Sequence, residues 1–484
     1  VLPDDVLLEI LDFCVVGYPE RNGMLYKSQY VKRGKVWWQS LVHVCRRWRS
    51  LVFASSRRLN LQLLCTNGTS ARKTLDIWPV LLLLKHDLVM ETSVDDVVAV
   101  LEQNKRIRQI DLSCILTSQK VNEKVWAAIQ VPFPELTGLQ LTSRSETTPF
   151  LPDSFLGGSA PRLRSLGLEG IPFLGLPNLL LSATHLVTLS LSRIPHSGYI
   201  SPEAMVTCLS VLTVLEGLSL GFESPQSYPD QEIQRPPPPT RTILSALKEF
   251  WFKGAYEYLE DLVARLDAPR CHWFSISFFN DIVFDTPQFI QFISRAQIFK
   301  APNNVHVVFD SHSAWVSLRS QASIDEVEVK VSCRVPDGQL SFLAQICTSS
   351  PLFSTTEILY INERYRLSSP LDWKDDIENA EWLDLFRPFT DVKDLYISEE
   401  FAPRIAPALQ ELTGGRTTDV LPTVQNIFLE PLGPDQEIEG IGQFISARQL
   451  TNSPVAISVW KRNPWVNYSA DIPGAQSIPK SIGL

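Results

Sequence analysis

Leu136-Thr137-Gly138-Leu139-Gln140-Leu141, Leu163-Arg164-Ser165-Leu166-Gly167-Leu168 and Leu186-Val187-Thr188-Leu189-Ser190-Leu191 are three copies of one phrase, Leu-x-x-Leu-x-Leu. The last apolar pair alternates with small or polar residues, the pattern of a short strand with one buried face. Ile107-x-x-Ile110-x-Leu112 precedes these copies and Leu215-x-x-Leu218-x-Leu220 follows them. Degraded versions continue as Leu247-x-x-Phe250-x-Phe252, Cys271-x-x-Phe274-x-Ile276, Ile324-x-x-Val327-x-Val329, Thr356-x-x-Leu359-x-Ile361, Val392-x-x-Leu395-x-Ile397 and Val424-x-x-Ile427-x-Leu429. Neighbouring copies are mostly 23 to 36 residues apart. A unit that short cannot bury its own apolar face and must stack on its neighbours. Helical patterns fill several intervals, at Pro202 to Val214, Tyr256 to Leu266, Pro287 to Ala296 and Gln339 to Cys347. The expected body, residues 105–460, is therefore α/β, a parallel sheet backed by helices and irregular segments.

This body resembles a leucine-rich-repeat solenoid. It lacks the Asn or Cys that normally follows each strand and bonds the turn backbone, so the resemblance implies an irregular, open array. Strand alternation turns the residues flanking the last two apolar positions onto the open face. In the early copies these are Gln109 and Asp111, Gln140 and Thr142, Gly167 and Glu169, Ser190 and Ser192, Ser219 and Gly221. In the later copies Trp251, Trp273, Tyr360, Tyr396 and Phe428 take that place, accompanied by Lys253, Glu328, Lys330, Asn362 and Glu430, and the five aromatics are the expected target-binding residues, since large rigid rings dominate interface energy. Two alternatives stand beside that reading. The C-terminal segment with Trp460, Trp465 and Tyr468 folds back over the rings, or a one-residue register slip buries them.

Upstream, Leu2-Pro3-Asp4-Asp5-Val6-Leu7-Leu8-Glu9-Ile10-Leu11 reads as a short amphipathic helix, with Pro3 in its first turn and Asp4 and Asp5 at its positive end. A second segment sets Leu41, Val44, Cys45, Trp48 and Leu51/Val52 at helical spacing, opposite Arg46, Arg47 and Arg49. In order, these two segments resemble an F-box: a Leu-Pro opening, an Ile-Leu helix end, then Val-Cys-Arg-Arg-Trp. The resemblance covers about a tenth of the chain. It implies that Leu2, Pro3, Val44 and Cys45 face a Skp-type linker protein, while Leu7, Ile10, Leu11 and Trp48 form the core of the helical module. Residues 17–36, with Arg21, Lys27, Lys32, Arg33 and Lys35, depart from the family's short connection and are expected to be a solvated basic insertion.

The expected layout is a helical module over 1–55, a connector over 56–104, the repeat body over 105–460 and an irregular tail over 461–484. Pro225 to Thr240, with the run Pro236-Pro237-Pro238-Pro239, is expected to be a surface loop.

The chain has 484 residues, 44% of them hydrophobic, with a net charge of −9. Acidity disfavours a phosphate-neutralising surface, so nucleic acid is not an expected partner. The longest apolar run, Pro79 to Leu84, ends at Lys85-His86-Asp87, far short of a membrane span. The eight cysteines are scattered without the close pairs of zinc or redox sites, and the seven histidines are dispersed. They read as buried thiols and satisfied side chains in a reducing compartment, cytoplasmic or nuclear. Phosphate-binding glycine loops and nucleophile elbows are absent, and Gly440-Ile-Gly442 is a turn signal. No catalytic residue, cofactor or metal is expected.

The F-box and repeats together resemble a group of fungal F-box proteins. The resemblance implies a substrate-recognition adaptor of a Skp–cullin–F-box ubiquitin ligase, with the repeats holding an unknown target protein. The alternative is a non-catalytic repeat scaffold whose N-terminal helices only cap the array.

Overall fold

The structure is a computed structural model describing residues 2–16, 39–59, 61–66, 75, 80–87, 94–114, 119–143, 150–224, 240–279, 286–296, 304–319, 326–333, 336–363, 378–413, 416, 418–431 and 439–460. The basic insertion, residues 225–239 of the proline-rich segment and the tail lie outside these residues. The last two apolar positions of all eleven phrases lie in strands, and none of those side chains is more than 4% exposed. The chain packs as two units, 1–281 with 285–299, and 282–284 with 300–484.

In the first unit, β1 (Gln62–Cys65), β2 (Leu81–Asp87), β3 (Ile107–Cys114), β4 (Gly138–Ser143), β5 (Ser165–Glu169), β6 (Thr188–Ile194) and β7 (Gly217–Phe222) lie side by side in sequence order. Two further strands, β9 (Glu249–Gly254) and β11 (Trp273–Phe278), extend the sheet, while β8 (Thr242–Ile243) and β10 (Leu266–Asp267) pair separately. Every one of these pairings is parallel.

Each new repeat is locked to the last by a backbone relay. Arg164 N–H donates to Thr137 O at 2.8 Å, Val187 to Arg164 at 2.7 Å, Glu216 to Val187 at 2.8 Å, Lys248 to Glu216 at 2.8 Å and His272 to Lys248 at 3.0 Å. The leading residue of the phrase also closes a turn, as in Leu163 N–H to Ala160 O at 3.1 Å and Leu186 to Ala183 at 3.0 Å. Main-chain partners thus tie the repeats together although the side-chain ladder of regular leucine-rich repeats is missing.

Helices α1 (Asp4–Val16), α2 (Gln39–Val42) and α3 (Arg46–Ala54) precede this sheet, and α4 (Val94–Leu101), α5 (Gln119–Ala128), α6 (Leu176–Ser182), α7 (Pro202–Leu209), α8 (Tyr256–Ala264) and α9 (Pro287–Arg295) lie between or after its strands. Their ends are set locally. Ser201 accepts from Ala204 N–H at 3.2 Å ahead of Pro202 in α7. At α9 the cap comes from the preceding helix: the Glu260 carboxylate accepts from Gln288 N–H at 2.9 Å and Phe289 N–H at 2.8 Å.

In the second unit β12 (Asn304–Asp310), β13 (Ser313–Arg319), β14 (Glu326–Val331), β15 (Ile358–Glu363), β16 (Asp394–Ile397), β17 (Asn426–Leu429) and β18 (Ala456–Val459) form a sheet in the order β14-β13-β12-β15-β16-β17-β18. Its helices are α10 (Pro336–Ser349), α11 (Asn379–Phe386), α12 (Ala402–Glu411) and α13 (Glu439–Leu450). The sheet was expected to be parallel throughout, but β13 runs antiparallel to both neighbours. The cause is the two-residue turn Ser311-His312, which reverses the chain where other repeats cross over through a helix or a longer segment. Buried Gln339 pins this hairpin to α10, donating to Asp310 O at 2.9 Å and Cys333 O at 2.8 Å.

Candidate functional site

The N-terminal module presents one of two faces that bear on function. Along α1, Leu7 and Leu11 point into the protein and are buried. Val6, Ile10 and Phe13 follow each other at four- and three-residue steps on another side and are exposed, Phe13 at 82%. Ile10 was expected in the core; at 45% exposure it belongs to this outer stripe. Leu2 and Val44 are exposed apolar residues as well, and Pro3 and Cys45 are exposed.

The second F-box-like segment is not one helix. It breaks at His43-Val44, and Cys45 caps α3 with its thiol, which accepts from Trp48 N–H at 3.4 Å. Trp48 is half-buried instead of fully enclosed, so Leu7, Leu11, Val42 and Val52 carry the core of the module. Arg47 joins the two halves, donating to Asp4 Oδ1 at 2.6 Å and Leu2 O at 2.6 Å. Arg57 and Arg162 both reach Glu135, at 3.3 and 2.8 Å, linking the module to the repeats.

The open faces of the sheets are the other candidate. Phe250 and Phe252 are buried while Trp251 between them is half-buried, so the register places Trp251 on the open side as expected. Its ring leans back over the preceding strand onto Gly221. Trp273 is half-buried one strand further on.

In the second unit Glu328, Ser317, His306, Tyr360, Tyr396, Phe428 and Ser458 form one lateral row across all seven strands. Four of these are rings stacked face to face. The His306–Tyr360 centroids are 4.4 Å apart, Tyr360–Tyr396 4.5 Å and Tyr396–Phe428 4.3 Å. Stacking consumes the ring faces, so the row offers ring edges and tyrosine hydroxyls outward. Burial, followed by the nearby Asp394 carboxylate, pushes the Tyr396 phenol up, so that hydroxyl stays protonated and able to donate.

Trp460 stands across the row, 5.3 Å from Tyr396 at 86° and 6.3 Å from Tyr360 at 67°. Part of the fold-back reading is therefore realised through Trp460, while Trp465 and Tyr468 lie outside the described residues. Next along the strands, Asn362 and Ser398 have no exposed surface, and the Asn362 amide and Ser398 hydroxyl lack hydrogen-bond partners among the described residues. Alternation placed Asn362 on the open face beside the rings, while sequence reasoning missed Val6, Phe13 and Ser398. Of these, Val6 and Phe13 had a signal, their helical spacing with Ile10.

No protein-family model matches the sequence, and no curated protein matches it. Among solved structures the chain is similar to the leucine-rich repeat-containing protein LegL7 from Legionella pneumophila, at 12% identity and a TM-score of 0.30, over 76% of this chain and 98% of that one. A likeness that distant carries no argument about binding; the repeat architecture rests on the register and relay described above.

Burial pushes the Cys65 thiol up to about 11, against a smaller opposing pull from Arg106, and raises Cys271 and Cys347 further, so none of the three supplies a thiolate at neutral pH. Cys45, Cys65, Cys208, Cys271, Cys333 and Cys347 are free thiols. Among the described residues, no group of three His, Cys, Asp or Glu is placed to hold a metal ion, and no helix is long and apolar enough to cross a membrane.

Proposed function

We propose that the chain is a non-catalytic adaptor of a Skp–cullin–F-box ubiquitin ligase, acting in the cytoplasm or nucleus. Its N-terminal helices dock on a Skp-type linker, and its repeats hold a target protein near the ubiquitin-conjugating machinery. The observation that carries this reading is the exposed stripe Val6, Ile10 and Phe13, accompanied by exposed Leu2 and Val44. Clustered apolar surface of this kind marks a protein interface. A helical cap at the end of a repeat array needs the opposite, a polar outer face.

The second reading, a scaffold with a helical cap, draws support from the short path between α3 and β1, the first strand of the sheet. The ion pair between Arg58 and Glu9 at 2.6 Å and the Arg57–Glu135 contact also fix these helices in place. Co-purification with a recombinant Skp-type linker separates the two. A stoichiometric complex supports the adaptor, and a monomer under all conditions supports the cap.

Target capture is assigned to the aromatic open face. Trp251→Ala with Tyr360→Ala is expected to eliminate captured proteins in a pull-down after proteasome blockade, leaving linker binding intact. Retention of every partner by that variant, with loss on Gln140→Ala and Ser190→Ala, would move the target surface to the early repeats. Adaptors of this kind work by raising the local concentration of target lysines, so no catalytic residue of their own is needed.

A further inference from the structure

Asn362 and Ser398 are an anomaly of the second unit. They lie beside each other on β15 and the end of β16, joined by the bond from Ser398 N–H to Ile361 O at 3.0 Å, and alternation turns both to the face that carries Tyr360 and Tyr396. Both are fully buried, and both polar atoms of the Asn362 amide and the Ser398 hydroxyl go unbonded among the described residues. Buried polar groups in native proteins are almost always paired, and an unpaired set calls for a ligand, a water or a functional reason.

Trp460 packs on Tyr360 and Tyr396, the neighbours of this pair on the same face, and its polar fit is incomplete. The indole N–H donates to Ile397 O at 3.4 Å, a long bond to a carbonyl that already accepts from Glu430 N–H at 3.1 Å. The ring packs well, edge to face with Tyr396 and at a steep angle to Tyr360. Aromatic complementarity is thus present while polar complementarity is not. The strand that delivers Trp460 is also the easiest to lift. All four residues of β18 are exposed, Val459 at 72%, and among the described strands it pairs with β17 alone.

We propose that the place Trp460 takes against Tyr360 and Tyr396, beside Asn362 and Ser398, is a binding site for a tryptophan side chain of a partner polypeptide, and that Trp460 occupies it as an internal stand-in. An incoming indole enters between the tyrosine edges, its N–H is accepted by Ser398 Oγ or Asn362 Oδ1, and the Asn362 amide N–H donates to the partner's backbone carbonyl. The inference rests on reading the second unit as a recognition surface and needs no linker contact.

The test uses the full chain and N-acetyl-tryptophanamide as probe, with N-acetyl-alaninamide as control. Trp460→Ala is expected to bind the tryptophan probe at least tenfold more tightly than the wild type, measured by saturation-transfer NMR and calorimetry. Adding Asn362→Leu to that variant is expected to cut the affinity at least fivefold. In the wild type, amide hydrogens of residues 457–459 are expected to exchange at least a hundredfold faster than those of residues 427–429. Equal probe binding by wild type and Trp460→Ala overturns the proposal, as does binding indifferent to Asn362→Leu. Loss of the second unit's cooperative unfolding in Trp460→Ala also overturns it, because Trp460 is then a structural plug. Failure of linker co-purification would remove the adaptor reading and leave these outcomes untouched.

Discussion

A Cβ placed on Gly221 would meet Cζ3 of Trp251 at 2.5 Å and Cη2 at 2.8 Å. Trp251 is level with Ser219 on the neighbouring strand, so its ring reaches diagonally, two residues further along, to settle where Gly221 leaves room. The absence of a side chain at 221 therefore fixes where this tryptophan lies. Gly221→Ala is expected to displace the ring, cost about 1–3 kcal/mol as an overpacking change, and shift tryptophan emission to the red. Urea unfolding followed by fluorescence measures both, and an unchanged emission maximum would show that the ring does not depend on Gly221.

Linker binding is expected to follow the exposed stripe. Leu2→Ala with Pro3→Ala, and separately Phe13→Glu, should each weaken linker affinity at least tenfold while the melting of the repeats barely changes. Trp48→Ala should cost less than the 3–5 kcal/mol of a fully buried aromatic, about 2 kcal/mol, because its ring is only half-buried. Calorimetry against a Skp-type linker decides, and wild-type affinity in the Leu2/Pro3 variant would end the adaptor reading.

Glu260 is expected to matter beyond its own helix. Its carboxylate holds two free N–H groups at the start of α9, so Glu260→Ala should destabilise the first unit by about 1–2 kcal/mol. Hydrogen exchange should show the loss concentrated at Gln288 and Phe289. Uniform loss of protection across the unit would instead point to a general packing defect.

Asp261 gives a pH dependence of definite sign. Burial raises its carboxyl above the ordinary aspartate value, against a smaller opposing pull from Arg265. The native state therefore holds this proton more tightly than the unfolded chain. The resulting stabilisation is present below the unfolded value of about 3.9 and is lost as pH rises through the folded value. Asp261→Asn should accordingly be more stable than the wild type at pH 7, with the gap closing toward pH 3. Urea midpoints at the two pH values test this, and a gap that widens in acid would contradict the sign.

The strands were legible wherever period-two alternation of apolar residues recurred at the phrase's spacing, whatever residue led it, which is why even Cys271-x-x-Phe274-x-Ile276 and Val392-x-x-Leu395-x-Ile397 mark real strands. The hairpin was not. Residues 305–310 and 313–318 are buried on both faces, and that erases the alternation that identifies a half-buried strand. The break between α2 and α3 was hidden because apolar spacing runs through it, and the cap that makes it is a thiol, outside the usual Ser, Thr, Asp and Asn. Outward placement of the five aromatics followed from alternation. The stacking of Tyr360, Tyr396 and Phe428 did not, since it depends on three strands aligning at the same level. Alternation also turned Asn362 outward, but its burial without a partner, and that of Ser398, gave no signal because it lies in what surrounds them.

The turn at Ser311-His312 also bears on the order in which the second unit forms. A parallel pair such as β15 and β16 must close a loop of roughly thirty residues before its first contact, whereas β12 and β13 meet across two. Hairpins form on a scale of about 1–10 μs, and chains dominated by distant pairings fold far more slowly. The hairpin is thus the expected nucleus: β12 offers its free edge to β15, and β16, β17 and β18 add in turn. Under this order, a substitution at Val307 or Val316 would slow refolding, while one at Ile427 would mainly speed unfolding.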